Sequence, residues 1–401
     1  MRLIATVLAG VIVGGILAGC PNGSQTGGTA HPDVLRQVGL QYYWRMAQPL
    51  GEGETVRRIY LMDENVYLIS NRNRIYAIDA SLGIPKWSAE VAIPGQTVFR
   101  PYHADNMSLT EKPSSVGEMI GYVSAKRPKV FNAAVINTSD QVLVFDRTSG
   151  RLYRQIRFDD FVANRGGAAD TMSFFVGATN GKFYGYSLNE AARAWSLSAG
   201  DKLVTAPVEQ YRGRVFVAGG DFGLYSARTG IVGEGVWRQQ LDGPVRAAFH
   251  VDARGCYVPC DDNRLYAFDA LTGMRQWVFH CEGPCRAPVQ VGERTVFQYA
   301  EGDGLYAVNI VNGHKRWRMP EGRRVLAVMK GEAYVLDDAG QLRVTDEILG
   351  KMRHTVSLTG LTLFADNCTV AAVYAATADG HVYCLRGPDA GRLTADMLKG
   401  K

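Results

Sequence analysis

A fourteen-residue pattern that returns along the chain constrains its fold more than any other feature. Arg74–Trp87, Arg264–Trp277 and Gly304–Trp317 align without a gap on Tyr-Ala-x-[Asp/Asn]-x3-Gly-x3-Trp. Lys182–Trp195 keeps both aromatic anchors with Ala191 in the glycine slot, and Leu224–Trp237 keeps Tyr225 and Trp237 with a shifted glycine. Asp146/Gly150 and Asp346/Gly350 mark two copies reduced to the turn, and His381–Leu385 is a last copy with no tryptophan after it. The tyrosine slot falls at 76, 143, 184, 225, 266, 306, 343 and 383, with steps of 67, 41, 41, 41, 40, 37 and 40. A period near 40 that holds several short strands is the signature of propeller blades. Eight copies predict an all-β, eight-bladed β-propeller. The first step exceeds 40 by 27 residues, which places an insertion between the first two blades, near 100–129 where strand alternation is poorest.

Each position has a physical reason. Apolar and polar residues alternate around the tyrosine, as on a half-buried strand. Asp-x3-Gly makes a tight reversal, with Asp accepting from nearby amides and Gly taking positive φ. A tryptophan four residues later sits on the next strand, where its ring can dock on the neighbouring blade. All six tryptophans fit this slot: Trp44, Trp87, Trp195, Trp237, Trp277 and Trp317. Trp44 has no tyrosine strand before it, and the copy at Tyr383 has no tryptophan strand after it. The N-terminal strand is therefore expected to complete the last blade and remove an open edge.

The pattern resembles the PQQ-like repeat of eight-bladed quinoprotein-type propellers, over roughly residues 40 to 391. The N-terminus extends the resemblance. After Arg2, Leu3 to Gly19 run 17 residues without a charge and end in Leu17-Ala18-Gly19-Cys20, a secretory signal whose ending is similar to a bacterial lipobox. Residues 1–19 are expected to be a lipoprotein signal peptide and Cys20 the lipidated residue. Residues 20–33, small and polar after the cysteine, read as a flexible tether. The propeller is expected over 34–393, with a C-terminal tail at 394–401. Acyl chains on Cys20 give stable anchoring when there are two or more, and Pro21 favours the outer membrane, facing the periplasm. Together these features are similar to the lipoproteins of the outer-membrane β-barrel assembly machinery. That resemblance implies a non-catalytic scaffold with protein partners, that machinery among them.

Composition agrees with one large repeat fold: 46% hydrophobic and 10% aromatic residues support a sizeable core, and 45 glycines suit many turns. A formal charge of +5 with dispersed basic residues is no nucleic-acid footprint. Quinoprotein dehydrogenases of this fold are longer and carry an adjacent Cys-Cys pair, a calcium site and an aspartate base. This chain has no Cys-Cys dipeptide, its seven histidines are scattered, and no hydrolase, phosphate-loop or zincin motif occurs. No catalytic residue, cofactor or metal is expected. The alternatives are a ligand- or glycan-binding sensor that uses the central channel and, further off, a quinone-dependent dehydrogenase.

Six cysteines remain beside Cys20. Cys256, Cys260, Cys281 and Cys285 form Cys-x3-Cys…Cys-x3-Cys, a spacing that suggests either a four-thiolate metal site or disulfides. On an extended strand the Cα atoms of Cys256 and Cys260 lie about 13 Å apart, beyond the roughly 7 Å a direct bond needs. Cys260 and the link that carries Cys281 and Cys285 fall on one face of the ring. A disulfide from Cys260 to Cys281 or Cys285 is therefore expected over zinc.

Overall fold

In the computed structural model, which describes residues 30–110, 128–230 and 233–399, eight four-stranded antiparallel sheets follow one another along the chain. The expected eight blades are present. Their inner strands are Val56–Met62, Tyr102–Leu109, Ala168–Ala169, Glu209–Tyr211, His250–Val251, Gln290–Val291, Gly322–Met329 and Leu363–Phe364, which define blades 1 to 8. Each tyrosine-slot residue from Tyr76 to Tyr383 lies on the third strand of its blade, and each of the six tryptophans lies on a fourth, outer strand. The signal peptide, Cys20 and tether residues 20–29 lie outside the described residues, as do 111–127. Tyr102–Leu109, within the stretch read as an insertion, is the regular inner strand of blade 2. Most of the residues in excess of one blade period fall between Leu109, where that strand ends, and Lys129, where the next begins.

The ring closes as expected. Gln41–Ala47 pairs antiparallel with His381–Arg386, from Gln41 opposite Arg386 to Ala47 opposite His381. It thereby becomes the outer strand of blade 8, whose other members are Leu363–Phe364 and Val373–Ala376. Before it, helix α1 (Pro32–Gln37) packs against the outer strand of blade 7 with Leu35 fully buried. The tail also folds. Helix α2 (Ala395–Leu398), capped by Thr394, buries Leu398 in the core between blades 8 and 1. The Leu393 amide donates to the Tyr43 hydroxyl at 3.1 Å.

Middle strands are more buried than simple alternation suggests. All six residues of Asn65–Ser70 are buried, and so are the central four of Arg74–Asp79. A radial sheet has a neighbouring blade on each face, so both sides of its middle strands meet apolar surface. Only the outer strands alternate, as in Arg275–His280. Because consecutive strands reverse, the first and third turns of every blade lie on one face of the ring. The second turns and the links to the next blade lie on the other.

Candidate functional site

The tryptophans bolt the blades together. Each indole Nε1 reaches the third turn of the following blade and donates to a backbone carbonyl there. Trp44 reaches Ala80 at 3.0 Å, Trp87 Arg147 at 3.0 Å, and Trp195 Gly230 at 2.9 Å. Trp237 reaches Ala270 at 3.4 Å, Trp277 Ile310 at 3.0 Å, and Trp317 Glu347 at 2.8 Å. The turn glycine lies flat against the ring. A Cβ on Gly313 would sit 2.7 Å from Trp277 carbons, and one on Gly83 would sit 2.6 Å from Trp44. Ala191 takes the same left-handed conformation, φ 54°. Where blade 2 lacks a tryptophan, Arg154 fills the slot and its Nε donates to the Leu188 carbonyl at 2.9 Å. Counting tryptophans does not reveal that substitution. Its position four residues after Gly150 does.

On the same face a charged knot ties blade 1 to blade 2. The Arg147 guanidinium, fully buried, pairs with Asp63 at 3.1 Å, Glu64 at 2.8 Å and Asp105. His103 meets Asp63 through Nδ1 at 2.7 Å and the Tyr67 hydroxyl through Nε2 at 2.8 Å. Burial lowers the His103 pKa against the Asp63 hydrogen bond, which raises it. Asp63, Glu64 and His103 lie close enough together to ligate a cation. Both ring nitrogens of His103 are already taken, however, and a guanidinium occupies the place of the positive charge. The knot is thus a latch, which sequence reading missed because its members lie on separate turns and strands that no spacing brings together.

The opposite face carries a second belt, near the axis. Arg58 donates to the Val98 carbonyl at 2.8 Å, Asn164 to Val204 at 2.7 Å, Arg165 to Thr205 at 2.9 Å and Gln290 to Val325 at 2.8 Å. Each bond runs from one blade to the innermost segment of the next. Inside this belt, Arg100, Glu209 and His250 interact electrostatically although they belong to the approaches and inner strands of blades 2, 4 and 5. Groups from non-neighbouring blades meet only beside the axis. Glu209 is half-buried. Protein still surrounds it closely, and desolvation pushes its carboxyl up to about 7 against the pull of Arg100 and His250.

The cysteines expected to gather do so in part. Cys281 and Cys285, in the link between blades 5 and 6, hold their Sγ atoms 3.4 Å apart. The Cys285 amide donates to the Cys260 carbonyl at 3.1 Å, while the Cys260 thiol turns to the Gly243 carbonyl at 3.1 Å. All three are buried thiols. The hydrogen bond with Cys281 and then burial push the Cys285 pKa up, and burial pushes that of Cys260 up to about 12. Cys256 belongs to the apolar cluster between blades 4 and 5, away from Cys281 and Cys285. No four-thiolate group assembles among the described residues.

With this geometry in hand, relatives can be compared. The family model described as the outer membrane protein assembly factor BamB matches residues 204–320, the approach to blade 4 through the end of blade 6. BamB from Moraxella catarrhalis, a crystal structure, superposes with a TM-score of 0.64 at 15% identity, covering 88% of this chain and 99% of that one. The chain is similar to BamB in its repeats and in its fold. The computationally designed Ika8 protein superposes with a TM-score of 0.59 at 14% identity, over 82% of this chain and 96% of that one. No curated protein matches the sequence.

Proposed function

We propose that this chain is a non-catalytic interaction scaffold of the bacterial envelope that assists outer-membrane protein assembly. It is anchored by acyl chains on Cys20 and faces the periplasm from the outer membrane. The observation that carries the reading is the BamB family match over 204–320, joined to a ring of corresponding size and closure. A propeller latched on both faces offers rigid loops to protein partners at little ordering cost. Affinity capture of the acylated protein from native membranes tests it: barrel-assembly components should co-purify, and their absence sinks the assembly role.

The axial belt favours a second reading, a ligand-binding propeller. Arg100, Arg165, Glu209 and His250 supply convergent polar groups at one mouth of the ring, as a small anionic or glycan ligand would require. Equilibrium dialysis of anionic sugars against the purified protein separates this reading from the first.

An oxidising periplasm also suits a disulfide, and the sulfur positions favour Cys281–Cys285 over a bond to Cys260. In thiol–disulfide exchange, one thiolate attacks an oxidant protein's disulfide and the second displaces the mixed disulfide. The two thiol protons and two electrons pass to the oxidant, which leaves as a dithiol. Peptide mapping under non-reducing conditions should find residues 281 and 285 bridged. Free thiols at both in protein from the envelope, or stoichiometric zinc, overturn the bond.

A further inference from the structure

The turns that receive the tryptophans differ around the ring. In blades 5, 6, 7 and 1 their tips are apolar and exposed: Met274 is 70% exposed, Val311 82%, Leu349 74% and Ile84 55%. In blades 2 and 3 the corresponding turns present Thr148, Ser149, Asn189 and Glu190 instead. A monomer gains nothing from four large apolar side chains held out on rigid hairpin tips, and among the described receiving turns these four lie along one arc, which marks a contact surface.

Two further observations say what lies against it. The arc is centred on the point where the N-terminal segment joins the ring. The strand Gln41–Ala47 begins on this face, opposite Arg386. The Ala30 carbonyl accepts from the Tyr42 hydroxyl at 2.6 Å, and α1 lies on the outer strand of blade 7. Only nine residues lie between Cys20 and Ala30, a reach of about 36 Å at most. An acyl anchor at Cys20 therefore keeps this arc within reach of the bilayer. Charge agrees as well. Just past each of three apolar tips stands an exposed cation, Arg275, Lys315 or Lys351, and none has an ion-pair partner among the described residues. Apolar tips beside unpaired cations suit an anionic headgroup region, where the tips enter the acyl boundary and the cations meet lipid phosphates.

We infer that the arc Met274–Val311–Leu349–Ile84 rests on an anionic lipid surface, so that the ring lies with its tryptophan-latched face toward the membrane. This orientation rests on the proposed anchor, whereas the affinity of the arc for lipid does not. The described ring closes within 30–399, so a chain beginning at Pro21 keeps every contact described above and carries no acyl group. That chain should co-sediment with vesicles of phosphatidylglycerol and phosphatidylethanolamine, and much less with phosphatidylcholine vesicles. Joint replacement Met274→Asp, Val311→Asp and Leu349→Asp should lower the partition at least tenfold with an unchanged melting temperature. Phe222→Asp, an exposed apolar tip on the opposite face, should leave it intact. Absence of partition into the anionic vesicles, an unaffected triple variant, or loss on Phe222→Asp each overturns the inference. Mass spectrometry of Cys20 in protein made in cells reports separately on the anchor, so the two can fail independently.

Discussion

Arg147 shows how much one buried side chain can hold. Its guanidinium pairs with Asp63, Glu64 and Asp105 at once, and its carbonyl also receives Trp87. Arg147→Ala would leave Glu64 without its cation and Asp63 with His103 alone, and should cost about 3–5 kcal/mol, read by denaturant unfolding. Glu209 has the opposite character. Its folded pKa lies near 7, above that of an unfolded glutamate, so the native state binds the proton more tightly. Its contribution is present below the unfolded pKa and is lost as pH rises toward 7. Glu209→Gln should therefore leave the melting temperature nearly unchanged at pH 4 and raise it at pH 8. An equal change at both values would show that Glu209 does not titrate in this way. Neither residue was legible in the sequence. Arg147 follows a turn aspartate, and Glu209 opens a three-residue strand. What distinguishes them is which blade faces them, and no spacing reports that.

At the scale of the element, the unit is a tryptophan, the following blade's turn and the glycine between them. Its parts were legible because all six tryptophans keep one spacing and the turn demands positive φ. The direction of the contact, always onto the next blade, was not, because it depends on side chains meeting across sheets. Two glycines separate the effects. Gly302 and Gly313 both have positive φ, 77° and 71°, but only Gly313 faces a ring. Gly302→Ala should cost about 1–2 kcal/mol for the left-handed backbone. Gly313→Ala should cost roughly 1–3 kcal/mol more, since the added methyl overpacks the site against Trp277. Equal losses would mean that the indole gives way freely.

For the whole molecule, the period and the orphaned Trp44 were enough to read blade number and closure. The tail was not readable as structure, because α2 is a single turn whose burial depends on meeting blades 8 and 1. Closure makes a direct prediction: a chain beginning at Gly51 leaves Arg386 to His381 with an open edge and exposes the Tyr374 and Ala80 region that Trp44 covers. It should melt well below the complete ring and associate through that edge, visible as higher oligomers in light scattering. Equal melting would refute closure as a source of stability. The same strand sets an order on biogenesis. Gln41–Ala47 is made early, while its partner His381–Arg386 arrives some 340 residues later. Until then blade 8 does not exist and a bare strand waits beside unfinished blades, so a ring of this kind depends on being kept apart from its neighbours until its last strand is made.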